Sequence, residues 1–182
     1  GKYYISDDKG LNWLVVSTGY DGSYWSGIKV DEGQSLLLGM SGNVTLATLY
    51  GLNDTIPPDK ITSIACYESG YYRGDCKVYA FDDIFIGTKN SLTNADLLDD
   101  GRIVLSGNGG VISVVDMIRE KNIQTCVRSD RLSNTSVIPL GIDEFLIAGE
   151  SGVRKHSMEE CYQNFVSENS TSQDAFYEVS IN

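Results

Sequence analysis

The chain has 182 residues, 41% of them hydrophobic, and a formal net charge of −11. That length can bury a substantial core as one domain. The acidic balance repels nucleic acid and anionic membrane surfaces, and no run of about 18 apolar residues offers a membrane-spanning helix.

Nineteen Gly and eleven Tyr against three Pro favour many strands joined by tight turns. The chain opens at Gly1 rather than Met, which leaves room for a leader upstream. The first apolar run, Tyr3-Tyr4-Ile5, leads into Ser6-Asp7-Asp8-Lys9-Gly10-Leu11-Asn12-Trp13, and a second runs from Trp13 to Ser17. Tyr20, Tyr24 and Trp25 then cluster around a Gly-rich turn. Asp21-Gly22-Ser23 within it is read as a plain turn, because no full set of calcium ligands follows.

Next comes the first copy of a repeat: Asp31-Glu32-Gly33, the apolar run Leu36-Leu37-Leu38, then Gly39-Met40-Ser41-Gly42-Asn43-Val44. The second copy has Asp99-Asp100, Ile103-Val104-Leu105 and Gly107-Asn108-Gly109-Gly110-Val111. The third has Asp143-Glu144, Phe145-Leu146-Ile147 and Gly149-Glu150-Ser151-Gly152-Val153. The offsets are 68 and 42 residues, counted from Gly42 to Gly110 and from Gly110 to Gly152. Each copy predicts an acidic turn, a short strand buried on both faces, a tight Gly turn and a further strand. Those further strands are Val44 to Tyr50, Val111 to Met117 and Val153 to Met158. The glycines are expected because they adopt positive φ at low cost. The 42-residue period is the spacing of propeller blades.

The excess in the longer offset lies around Tyr50 to Asn90, read as an insertion; Asp82-Asp83-Ile84-Phe85-Ile86-Gly87 within it resembles another copy but stands too close to Asp99 to head a blade. The insertion carries Tyr67, Tyr71, Tyr72 and Arg73 between Cys66 and Cys76, two cysteines that could staple a hairpin in an oxidising compartment. Cys126 and Cys161 complete the set, and none forms the Cys-x-x-Cys of a structural zinc site. Asn-x-Ser/Thr sequons at Asn43, Asn53, Asn134 and Asn169 hint at a secretory route. The last strand-like run, Ala175 to Ile181, could supply one of the strands that the opening blade lacks and close a ring.

The segment Ser6-x-Asp8-x-Gly10-x-x-Trp13 resembles the Asp-box of BNR-repeat β-propellers, the sialidase-like superfamily, and the whole pattern is also similar to photosystem assembly-factor propellers. The resemblance implies that the box joins strands three and four of a blade. Asp8 would hydrogen-bond the turn backbone, Gly10 would take a restricted backbone angle, and Trp13 would pack between neighbouring turns. Ser6 belongs to the same structural box. The expected fold is all-β: a β-propeller or partial propeller of four-stranded antiparallel blades. Residues 1–182 would form one such domain of roughly three to four blades, a piece of a longer protein whose remaining blades come from another chain or segment.

No constellation of catalytic residues emerges. Sialidase-type hydrolysis requires an arginine cluster, and the six arginines (Arg73, Arg102, Arg119, Arg128, Arg131 and Arg154) cannot be matched to one. His156 is the only histidine, no Gly-x-Ser-x-Gly elbow accompanies it, and it is read as an exposed strand residue. Gly107-Asn108-Gly109-Gly110 lacks the Lys-Ser/Thr of a phosphate loop. No cofactor or metal is expected. The candidate binding residues are Tyr20, Tyr24, Trp25, Tyr67, Tyr71, Tyr72 and Arg73, since loop Tyr and Trp stack on sugars or pack against proteins. The expected role is recognition of a protein or glycan, without nucleic acid or membrane insertion, at an extracellular, cell-surface or virion-associated location. Part of a sialidase-like glycoside hydrolase and a protein-assembly factor are the alternatives.

Overall fold

The computed structural model describes residues 1–6, 8–51, 54–56, 61–69, 72–117 and 121–159. The run from Ala175 to Ile181, and the sequons at Asn53 and Asn169, lie outside the described residues.

The strands group into four antiparallel sheets that follow one another along the chain. The first sheet is a pair, β1 (Lys2–Ile5) and β2 (Leu14–Ser17). The second holds β3 (Tyr24–Asp31), β4 (Gln34–Gly39), β5 (Val44–Tyr50), β6 (Ile61–Ser69) and β7 (Tyr72–Asp83). Its order is β3-β4-β5-β7-β6, so β7 takes the place beside β5 and β6 becomes an added outer strand. The third sheet holds β8 (Leu92–Leu97), β9 (Ile103–Gly107), β10 (Val111–Asp116) and β11 (Lys121–Val127) in simple meander order. The fourth holds β12 (Asn134–Pro139), β13 (Glu144–Gly149) and β14 (Gly152–Ser157). Four strands per sheet is therefore the plan of the third sheet, with β6 added in the second.

Three hydrophobic clusters fill the three gaps between successive sheets. Strand alternation explains how one apolar run serves two of them. In β4, Leu37 packs toward the first sheet while Leu36 and Leu38 pack toward the third. In β9, Ile103 and Leu105 face the second sheet and Val104 the fourth. Each such side chain contributes about 1.5–3 kcal/mol by leaving water. The first strands of consecutive sheets lie against each other, β3 on β8 and β8 on β12. Sheets packed face to face, with their leading strands together, make a partial propeller. The row does not close into a ring among the described residues.

The third repeat copy departs from the others in burial. β9 is buried throughout, whereas β13 alternates, with Phe145 and Ile147 inside. The physical reason is position: β13 belongs to the last described sheet, whose far face is uncovered. Ile138 and Val153 stand 53% and 69% exposed there.

The repeat glycines have two distinct roles. Positive φ falls late in each turn, at Ser41 and Gly42, at Gly109 and Gly110, and at Gly152. The first glycine of the later copies answers to close approach instead. A Cβ on Gly107 would stand 2.3 Å from the Ser91 carbonyl oxygen, and one on Gly149 would stand 2.2 Å from that of Ser133. The following residue uses this proximity: the Asn108 and Glu150 N–H groups donate to the same two carbonyls, at 2.9 and 3.0 Å. Met40 N–H makes the corresponding bond to Ser23 at 3.1 Å. Ser23, Ser91 and Ser133 each precede the first strand of a sheet and repeat the 68- and 42-residue offsets.

Cys76 and Cys126 each take part in a disulfide bond, and Cys76 stands opposite Cys66 in the β6–β7 register. Asn134 is fully buried, so its sequon is inaccessible in the folded chain.

Candidate functional site

A groove of about 410 Å³ lies between β1 and β3. Lys2 and Tyr3 line it from β1, Trp25, Gly27 and Lys29 from β3, and Ser35 and Leu37 from β4. The alternation of β3 builds one wall. Tyr24, Ser26, Ile28 and Val30 are half-buried, and Trp25, Gly27, Lys29 and Asp31 point the other way, exposed. Among the described residues the first sheet has only two strands, and its buried core contacts fall on β4, β5 and β7. Trp25 on β3 is consequently left 61% exposed. Tyr3 is held in place by its hydroxyl, which donates to Ser35 Oγ at 3.0 Å, and by an edge-on ring contact with Tyr79 at 6.0 Å.

Lys2 and Lys29 have no carboxylate partner among the described residues, and they make the groove locally cationic on a chain of net charge −11. A flat indole, several hydroxyls and two ammonium groups suit an anionic, partly apolar ligand. The alternation of Tyr24–Asp31 already places Trp25 and Lys29 on one face. Lys2 and Tyr3 join them only through tertiary packing.

The other candidates take different positions. The Tyr20 and Tyr24 rings meet at a tilt of 50°, centroids 5.1 Å apart, and spend their hydroxyls internally. Tyr20 donates to the Met40 carbonyl at 2.9 Å and Tyr24 to Thr18 Oγ1 at 2.9 Å. Burial of the Tyr20 phenol pushes its pKa up, and the neighbouring Tyr24 adds to the shift. Their hydroxyls tie Tyr20 to the Met40 turn and Tyr24 to Thr18, and Tyr24 also lines the groove. Tyr71 lies outside the described residues; Tyr67, Tyr72 and Arg73 lie on β6 and β7, with side chains outside the description.

The turn between β1 and β2 is held by its own polar residues. Asp8 Oδ1 accepts from Asn12 N–H at 2.9 Å and Oδ2 from the Asn12 amide at 2.6 Å. Ser6 Oγ donates to Asp8 Oδ1 and accepts from Gly10 N–H at 2.7 Å. Gly10 has φ +89°, a backbone angle that resists side chains. Hydrogen bonds from Asn12 hold the Asp8 carboxyl below the usual range. Trp13 departs from the expected packing between neighbouring turns. It folds over its own turn, Nε1 donating to Gly10 O at 3.0 Å, and remains 58% exposed.

Arg102 and Arg128, among the described residues, serve as ties between loops. Arg102 pairs with Asp100 at 2.6 Å and with Asp143 at 3.0 Å, joining the acidic turns of the third and fourth sheets. Burial works against ionised Asp100, but bonds from the Arg102 backbone and guanidinium prevail and lower its pKa. Arg128 donates to Asn134, Asp130 and Ser151, and the more exposed Arg154 lies 3.9 Å from Asp130. His156 is half-buried on β14, its ring 5.8 Å from that of Phe145.

No protein-family model matches the chain, and no curated protein matches its sequence. Among solved structures the chain is similar to the WD40 β-propeller domain of Doa1, at 13% sequence identity and a TM-score of 0.38. The alignment covers 79% of this chain and 59% of that one, so this chain spans about 59% of that structure's length.

Proposed function

We propose that this chain is a non-catalytic recognition module that holds a protein partner in the groove between β1 and β3. The observation that carries the reading is Trp25, a large ring 61% exposed inside a groove that also holds two lysines without a carboxylate partner among the described residues. Exposed Trp in a concave site is a frequent centre of binding energy. The cationic lining selects an acidic, partly apolar segment.

We further read the β1–β2 turn as an Asp-box, on the bonding of Ser6, Asp8, Gly10 and Trp13, and residues 1–182 as one domain of roughly three to four blades. Disulfide bonds at Cys76 and Cys126 support an oxidising location such as the cell exterior.

A photo-cross-linking residue in place of Trp25 tests the reading. A protein captured there, and released by Lys2→Glu with Lys29→Glu, supports it. A glycan-array signal lost in Trp25→Ala would transfer the site to a sugar. Turnover of a fluorogenic glycoside would replace it with the hydrolase alternative.

A further inference from the structure

Four sheets stacked in a row leave one outer face at each end, and alternation makes both of them apolar. On the first sheet Tyr3, Ile5, Leu14 and Val16 are spent on the second sheet. Tyr4 and Val15, directly opposite each other, therefore turn the other way and stand exposed. Trp13, also exposed, adjoins them two residues before Val15. On the fourth sheet Val137, Phe145 and Ile147 face inward. The register then sets Ser136, Ala148 and Val153 in one outward row and Ile138, Leu146 and Lys155 in the next. Leu140 extends this surface by the same alternation, its N–H donating to the Glu144 carbonyl at 2.8 Å. Ile138, Leu140 and Val153 are exposed.

Charge and construction both indicate what covers these faces. The chain carries a net charge of −11, yet β1 and β2 contain no Asp or Glu. The carboxylate turned outward on the fourth sheet, Glu144, is bridged by Lys155 at 2.7 Å. Copies that meet through these faces bring no excess of like charge together. Each junction inside the chain is an apolar face of one sheet laid on an apolar face of the next. The outer faces are the two halves of one more such junction, an aromatic and β-branched pair on one side and aliphatic side chains on the other. Among the described residues the row does not bring its own ends together, so the missing half for each end is present on a second copy.

We propose that copies of this chain associate head to tail, the outer face of the first sheet seating on the outer face of the fourth. Such a contact is heterologous: it closes a ring where the rotation between copies allows and extends as a filament otherwise. It is separate from the recognition groove, which neither Tyr4 nor Val15 lines. Three strands of six residues present a face of only about 15 by 20 Å. That is below the roughly 800 Å² per partner of a stable pair, so the expected Kd is on the order of 10–100 μM.

Sedimentation equilibrium of the full chain from about 5 to about 500 μM tests the proposal, and the mean mass should rise to at least about 1.5 times that of one chain. Val15→Glu blocks the head face and Val153→Glu the tail face. Both positions are exposed, so the urea midpoint should be unchanged; Tyr4→Ser or Ile138→Ser replaces a variant that does not keep it. Each variant alone should remain at the mass of one chain, a carboxylate in the apolar contact weakening association more than about tenfold. An equal mixture of the two should recover the mass of two chains and go no further, since one intact head and one intact tail remain between them. A parent chain that stays monomeric throughout overturns the proposal. Association of Val15→Glu by itself also overturns it, because the tail then pairs with another tail. A mixture of folded variants that remains monomeric overturns it as well.

Discussion

Asn134→Ala tests whether the loops between the third and fourth sheets are held by one buried amide. Asn134 begins β12 with 0% of its surface exposed. Its Nδ2 donates to the Val111 carbonyl at 3.2 Å, and its Oδ1 accepts from Arg128 Nη1 at 2.9 Å. Alanine removes both bonds. Depriving a buried carbonyl of its donor costs about 1–3 kcal/mol, and a hydrogen bond to a charged group is worth about 1.5–3 kcal/mol. Arg128 keeps Asp130 and Ser151, which moderates the second figure. The expected loss is about 2–4 kcal/mol, or roughly 5–15 °C in Tm for a chain of this size. Urea denaturation followed by fluorescence should show a lower midpoint with an unchanged slope. Asn134→Asp should also destabilise, since a carboxylate retains Arg128 but cannot donate to Val111. For the same reason the sequon Asn134-Thr135-Ser136 should carry no glycan on folded protein secreted from a eukaryotic host, as read by glycopeptide mass spectrometry. An alanine variant within about 0.5 kcal/mol of the parent, or a glycan at Asn134, would refute the reasoning.

Alanine at Gly149 or Gly107 should cost about 1–3 kcal/mol by overpacking against the Ser133 and Ser91 carbonyls. Gly101→Ala meets nothing within 4 Å and bears only its φ of +85°, about 1–2 kcal/mol; the reverse ranking in denaturant would show that close approach does not govern the repeat. Asp8 has a lowered folded pKa, so its contribution is complete above the unfolded value of 3.8 and is lost as pH falls through the lower folded value. Asp8→Asn should flatten that acid-side fall in stability, and an unchanged profile counts against the turn. Arg102→Met should raise the titration midpoint of Asp100 toward the ordinary carboxylate value, measured by NMR, while costing about 1 kcal/mol or less because the bridge is partly exposed. Reducing the disulfides at Cys76 and Cys126 should lower stability by about 2–4 kcal/mol, read as a midpoint shift with and without reductant.

The strands of the repeat were legible because their chemistry is local. Leu36 to Leu38 and Ile103 to Leu105 are apolar runs too short for helices, bounded by acidic turns and Gly turns. The turn from Ser6 to Trp13 was equally legible, since Asp8 and Ser6 bond within a few residues of themselves. The site was less so. Tyr20, Tyr24 and Trp25 look alike as neighbouring aromatics, yet two hydroxyls find internal acceptors and one indole is left facing the groove. Lys2 gives no local signal, because its relation to Lys29 arises only when β1 lies beside β3. The role of Ser23, Ser91 and Ser133 was not legible, because their backbone carbonyls carry the contact, and a backbone atom leaves no mark in residue type.

Alternation, turn chemistry and the 42-residue period by themselves determined that this chain forms antiparallel sheets following one another in order. These are properties of segments a few residues long. Tertiary structure decided what each sheet faces. It buried all of β9, left one side of β13 open, and withheld cover from Trp25, because burial depends on the neighbour a face receives and not on the residues that compose it. It likewise decided why Gly107 and Gly149 are glycines: a carbonyl from another loop occupies the space of a side chain.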